Sequence, residues 1–452
     1  MGDKLNERNS ARRKFMRSAG TLGLAGLFGG QAVSGFADNR KRKPENHNEI
    51  EYESSTDDVA GTASGGTRAG LTESSNGVVG TTTLPFENGQ RELVQYPGKR
   101  PMIRLTTEAL QLETPFQVFN EGAITANDAF FVRYHNSGQP TSIDGDAFRV
   151  KISGNVTTPL SLSVADLQTK FPAIEIVAAL QCSGNSRGFS KPRVRGGQYG
   201  NGAMGNAKYK GVSLKKVLEA AGVKAGSVQV AFGGLDNPKE DPPDFMKALN
   251  LDVALNGDVM LAYSQNGEDI PFLNGYPLKL IVPGWYATYW VKHVNEIIVM
   301  TSNLKQFYMD TAYRIPTTPD ACIPPGTKPS ATVPINRLNV RSFITSHMEG
   351  AKVMANQPIT VKGIAFDGGT GIKQVLFSYD GGASWSAASL GTDLGKYSFR
   401  EWTIPFTPRQ TGKYALKVRA INNAGDTQPL AACWNPSGYM RNVVETVNVS
   451  AV

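Results

Sequence analysis

Three short stretches hold the residues best suited to chemistry. In the first, Cys182 follows the apolar run Val177-Ala178-Ala179-Leu180 and precedes Gly184-Asn185. A run of that length suits a buried strand and Gly-Asn is turn chemistry, so Cys182 is expected where a strand hands over to a loop. Arg187 lies five residues further on. A nearby cation favours the thiolate, which is the form that ligates metals. Taken alone, such a cysteine is more often a small buried hydrophobe. The second stretch is Phe130-Phe131-Val132-Arg133-Tyr134-His135. In an extended segment Arg133 and His135 share a face; the blander alternative is a solvent-facing strand over a buried Tyr134. The third is Thr311-Ala312-Tyr313-Arg314-Ile315-Pro316, where a lone tyrosine is usually a core or surface aromatic.

The elements that must position these residues are short. Phe130 to Val132, Phe148 to Ile152, Val228 to Phe232 and Leu278 to Val282 read as strands between turns. Ser163-Val164-Ala165-Asp166 has the capping-box pattern before Leu167, and Ser213 is placed to cap a helix over 214–221 that Gly222 stops. After Pro324-Pro325 and Pro329 the pattern becomes alternating and all-β, with turns at Asp380-Gly381-Gly382 and Asn423-Ala424-Gly425. Regular short strands with such turns predict a β-sandwich.

The chain has 452 residues and a formal charge of +8, too long for one ordinary domain. Half of that charge is local: residues 1–37 carry six Lys/Arg and two acids, a net of +4. No basic helix or aromatic-basic array is present, which excludes a nucleic-acid-binding reading. Residues 1–37 join Arg12-Arg13 and Phe15 to a Gly/Ala/Leu-rich run. They read as a twin-arginine signal peptide, with cleavage after Ala37 and a periplasmic destination. The run is too short and glycine-diluted for a membrane span. Residues 38–98 are polar and poor in large apolar side chains, and read as a disordered linker. Residues 99–330 form the expected α+β catalytic domain and 331–452 the all-β domain. Of three cysteines, Cys322 and Cys433 either pair or stay as buried or free thiols. No Cys-x-x-Cys-His occurs, so no c-type haem is attached, and no His/Cys spacing fits structural zinc.

From about Tyr96 to the end, the ordered blocks resemble the sulfite oxidase family of molybdopterin enzymes. The resemblance rests on the three stretches above and on Gly202 to Ala207, Phe232-Gly233-Gly234-Leu235-Asp236, Val282-Pro283-Gly284-Trp285 and Val291-Lys292-His293. Val361 to Ala365, Ser378 to Trp385 and Trp434-Asn435 resemble that family's immunoglobulin-like dimerisation domain. The closest likeness is to bacterial periplasmic, haem-free sulfite dehydrogenase catalytic subunits, which share Arg-Tyr-His.

The resemblance implies molybdenum-molybdopterin, with Cys182 as the one protein thiolate on the metal, and oxidation of sulfite to sulfate. Arg133 and Arg187 match anion-binding arginines, Tyr313 the active-site tyrosine, and His135 a histidine whose titration is expected to make turnover pH-sensitive. Tyr134, His135, Asp236, Asn274, Lys279, Lys292 and His293 fall in cofactor-holding blocks. Vertebrate members differ around Asn274 and Lys279, where Lys279 keeps a charge without a bidentate fork. The implied electron acceptor is a c-type cytochrome, and the assembly a homodimer or a heterodimer with a cytochrome subunit. The alternative activity on the same fold is another oxygen-atom transfer, such as periplasmic methionine sulfoxide reduction. A cofactor-free binding protein is the reading outside enzymes.

Overall fold

The strand Ala173–Gln181 changes character along its length: the first five residues are exposed or half-buried and the last four are buried. The chain therefore enters the core just before Cys182, at the strand-to-loop position expected. Its partner Met204–Ser213 runs antiparallel, in register from Ala173 opposite Val212 to Gln181 opposite Met204. Met260–Gln265 continues that sheet, and Lys279–Ile281 pairs with it.

The computed structural model describes residues 67–69, 77–238 and 243–452. The expected signal at 1–37 lies outside them. Within the expected linker 38–98, Gly77–Thr83 and Gln90–Gln95 are strands. They begin a five-stranded antiparallel sheet completed by Met102–Thr106, Gln111–Glu113 and Val132–Arg133. Linker composition thus ends too late as a boundary, because Val94 and Tyr96 supply enough apolar surface to join a small core with Met102, Leu112 and Tyr134.

A third sheet orders Lys247–Asn250, Gln229–Gly234, Val294–Met300, Val150–Gly154 and Leu160–Leu162. Among the described residues helices are few and short, the longest α-helix being Leu214–Ala221, so the α+β expectation overstates the helical share there. Ser163 closes the predicted capping box with Asp166. Gly222 ends Leu214–Ala221 at φ +69°, a left-handed conformation that glycine adopts without strain. The Ser213 side chain does not cap that helix; it bonds the Gly257 carbonyl instead.

Beyond residue 340 all regular structure is β. Arg341–Ile344, Ile359–Phe366, Arg400–Phe406 and Ser389–Leu390 form one sheet. Ala351–Val353, Thr446–Ala451, Gly412–Asn422, Ile372–Ser378 and Ser386–Ala387 form the other. Alternate residues of both, including Val361, Trp402, Phe377 and Leu416, share one core. Burying each such side chain stabilises the fold by about 1.5–3 kcal/mol. Phe343, Ile364, Phe366 and Phe399 belong to the larger core that also holds Phe130, Leu180 and Tyr209, so the described residues from 77 onward share one compact unit. Cys322 and Cys433 form a disulfide.

Candidate active site

The Cys182 loop is held from both sides by backbone. The Cys182 amide donates to the Ala203 carbonyl (2.9 Å), the Ser186 amide to Gly200 (2.6 Å) and the Gly188 amide to Tyr199 (3.0 Å). The Asn185 side chain accepts from the Ala203 amide. Glu113 fastens the facing loop by accepting from the amides of Gly200 and Gly202 at 2.9 and 2.8 Å. A Cβ at Gly184 would lie 2.5 Å from the Arg187 guanidinium, so a side chain there would displace that group. From the sandwich, buried Arg341 reaches back to Gln181 and to Ser186 (2.6 Å), on either side of Cys182.

One cavity gathers Cys182, Ser183, Arg133, His135, Asp236, Asn274, Lys279, Thr288, Lys292 and Tyr313. Eight of the predicted residues therefore meet, although they come from segments scattered across the chain. Cys182 is buried and unpaired. Arg133 Nη2 donates to the Tyr313 hydroxyl at 3.3 Å, while its buried Nη1 has no partner. Burial works against the Arg133 cation, but Tyr313, Tyr199, Cys182 and Asp236 outweigh it and strengthen the charge. Burial pushes the Tyr313 hydroxyl above its ordinary range, so it is a neutral donor.

Asp236 is committed locally: it accepts from the amides of His135 (2.8 Å) and Asn136 (3.1 Å). The His135 ring stacks on Phe245 with centroids 3.5 Å apart. Burial first, and Arg133 second, push its pKa down to about 3. This corrects the expectation of a pH-sensing histidine: at neutral pH the ring is uncharged and oriented.

Three predicted residues do not line the cavity. Tyr134 and His293 form a buried pair behind it, 2.9 Å from hydroxyl to Nε2, with His293 Nδ1 on the Tyr276 carbonyl. That carbonyl requires the proton on Nδ1, so Nε2 accepts from Tyr134. Their tie to the cavity is Lys292, whose ammonium sits over the Tyr134 ring. Arg187 is spent on backbone, donating from Nε to Ser437 (2.9 Å) and from Nη1 to Gly197 (3.1 Å).

The lysines were only partly foreseen. Lys279 is buried against the ring faces of Phe130, Tyr209 and Trp290, with no carboxylate paired to it among the described residues. Burial alone pushes its pKa down to about 7. Lys99, which no motif singled out, bonds Asn274 Oδ1 at 2.6 Å and is likewise pushed to about 7, chiefly by burial. Asn274 turns its amide nitrogen to the Phe131 carbonyl. Tyr439, also unforeseen, stacks on Tyr313. A lone lysine in a strand-rich stretch, or a tyrosine after Ser-Gly, gives no local signal of burial at a site.

Residues 136–308 match the family model "Oxidoreductase molybdopterin binding domain" and residues 332–451 match "Mo-co oxidoreductase dimerisation domain". The chain is 30% identical over 390 residues to a sulfite oxidase of Arabidopsis thaliana, covering 79% of this chain and 96% of that one. The chain belongs to the sulfite oxidase family. A Gallus gallus sulfite oxidase is 29% identical over 360 residues, covering 76% of this chain and 77% of that one. Among solved structures, the sulfane dehydrogenase SoxCD from Paracoccus pantotrophus superposes with a TM-score of 0.63 at 25% identity, covering 75% of this chain and 84% of that one.

The residues present fit the cofactor that this family implies. Arg133 Nη1, Ser183 Oγ and Thr288 Oγ1 are buried, line the cavity and lack partners, and a buried polar atom without a partner is costly. With Lys279 they suit a polar, anionic guest. Among the described residues no three His, Cys, Asp or Glu side chains converge on a metal position. A metal beside Cys182 therefore depends on ligands that a cofactor brings.

Proposed function

We propose that this protein is a periplasmic, molybdenum-dependent sulfite dehydrogenase that oxidises sulfite to sulfate and hands its electrons to a c-type cytochrome. The observation that carries the reading is one cavity uniting a free buried thiol with an arginine that keeps an unpartnered Nη1. When bound, molybdenum-molybdopterin supplies the two-electron chemistry by which sulfite and water become sulfate, two protons and two electrons.

The chain's own residues hold and orient. Cys182 is the thiolate on the metal, a soft ligand suited to it. Arg133 receives the oxyanion through Nη1, and its Nη2 bond to Tyr313 fixes the plane of the guanidinium. Tyr313 presents a neutral hydroxyl that donates to the anion at its Oη. His135, uncharged, packs edge-on to Tyr313 with ring centroids 5.5 Å apart and shields that side from water. Lys279, Lys292 and Asn274, with Lys99 behind, hold the anionic end of the cofactor.

Export follows the twin-arginine pattern in residues 1–37, and a disulfide at Cys322–Cys433 accords with an oxidising compartment. Among the described residues no helix is long and apolar enough to cross a membrane. Residues 332–451, matched to a dimerisation domain, are the surface for a second copy or for a cytochrome subunit. Molybdenum-loaded protein is expected to reduce ferricyanide or cytochrome c in the presence of sulfite. No reduction with sulfite, together with turnover of a sulfoxide, overturns the proposal.

A further inference from the structure

Residues 433–441 leave the sandwich and lie across the Cys182 loop. Trp434 Nε1 donates to the Pro192 carbonyl at 2.8 Å. The Ser437 carbonyl accepts from Arg187 Nε, and the Met440 amide donates to the Ser183 carbonyl at 3.2 Å. Asn435 braces the turn, its side chain bonding both the amide and the carbonyl of Tyr439. The strap thereby delivers one ring to the site. Tyr439 stacks on Tyr313 with centroids 5.5 Å apart and planes within 7°, and the Arg187 guanidinium lies 5.2 Å from its centroid.

Tyr313 has φ +57°, a left-handed conformation that a bulky residue keeps only where its surroundings hold it. The disulfide clasps the two segments that carry the stacked rings. Cys322 lies just downstream of Tyr313 and Cys433 just upstream of Tyr439. Beside it, the Ile323 amide donates to the Trp434 carbonyl at 3.0 Å.

We infer that Tyr439 is a positioning residue for the oxyanion site, acting through Tyr313 while Arg187 packs against its ring, and that the Cys322–Cys433 disulfide keeps it seated. The inference rests on the sulfite reading above. The ring does the work: it offers a flat face to Tyr313 and a π surface to the Arg187 cation. Without it, Arg187 keeps its carbonyl partners but loses the surface that sets its tilt, and the Tyr313 hydroxyl drifts from Arg133. Anion binding weakens more than the chemical step slows.

The test compares Tyr439→Phe, Tyr439→Leu and Cys322→Ser/Cys433→Ser in molybdenum-loaded protein, with sulfite and ferricyanide as substrates. Tyr439→Leu is expected to raise KM for sulfite about tenfold with kcat within about threefold, and Tyr439→Phe to restore KM to within about twofold of the parent. The double serine variant is expected to shift KM in the same direction as Tyr439→Leu. An unchanged KM in Tyr439→Leu, or equal defects in Phe and Leu, overturns the positioning role. A parent-like KM in the double serine variant overturns the part given to the disulfide. Failure of the sulfite reading shows separately, as absence of sulfite turnover in the parent. Calorimetric binding of inorganic sulfate to the loaded proteins then decides the strap: weaker binding in Tyr439→Leu supports it, and equal affinity overturns it even without turnover.

Discussion

Arg187 and Lys279 are both buried cations, yet their surroundings differ in kind. Arg187 gives two nitrogens to the carbonyls of Ser437 and Gly197 and lies near the Tyr439 ring. Nearby, Arg133 has one nitrogen on Tyr313 and one free. Lys279 lies against the faces of Phe130, Tyr209 and Trp290, with no carboxylate paired to it among the described residues. A ring face offsets part of the cost of burying a charge, but far less than a carboxylate does. The arginine side is thus organised before any anion arrives, whereas Lys279 holds a charge whose natural partner is the guest. Such a division lets a small substrate enter and leave a preset site while a larger anionic group is retained.

The sharpest break comes at Cys182, which neither set of cations replaces. Cys182→Ser is expected to lower sulfite turnover by at least about a hundredfold, the scale reached even by outer partners of metal ligands. Its melting temperature should stay near the parent's. Parent-like rates in that variant would refute the metal-ligand role, and a large fall in melting temperature would show that the thiol instead fills the core.

Next in size is Lys279→Met, which tests the lysine side directly. Cofactor content of the purified protein is expected to fall about tenfold if each lost charge–anion contact is worth roughly 1.4 kcal/mol. In cofactor-free protein the sign reverses. Lys279 has a folded-state pKa of about 7, below its ordinary 10.5. Between those values the unfolded chain binds more protons, so stability rises with pH across that window. Removing Lys279 should flatten the rise, measured by urea unfolding at several pH values. Some slope should persist, because burial also pushes Lys99 and Lys247 to about 7. An unchanged slope with unchanged cofactor content would remove the contrast between the two sides.

The smallest effect is expected far from both. Ser163→Ala removes a capping box and should cost about 1 kcal/mol of stability, with KM and kcat unchanged. A shifted KM there would mean that the anion site responds to general loosening rather than to its own partners.

Much of the frame was legible because it is locally encoded. The strand ending at Gln181, the Ser163 cap and the Gly222 stop follow from periodicity and capping chemistry that span only a few residues. The linker boundary was misplaced because Gly77–Thr83 and Gln90–Gln95 look polar and become strands only through pairing. His135 was legible as a candidate residue but not in its charge state, which depends first on burial against rings such as Phe245 from a distant segment and then on Arg133 two residues away.

The sequence by itself determined which groups are available: one thiol at a strand end, arginines and a tyrosine in recognisable blocks, and a sandwich to follow. Tertiary structure alone decided which of them touch. It paired Cys322 with Cys433, turned Arg187 onto a carbonyl 250 residues away, set Tyr134 and His293 behind the wall and brought Lys99 and Tyr439 to it. Burial, hydrogen bonding and charge depend on neighbours supplied by distant segments, and no local pattern of residues states who those neighbours are.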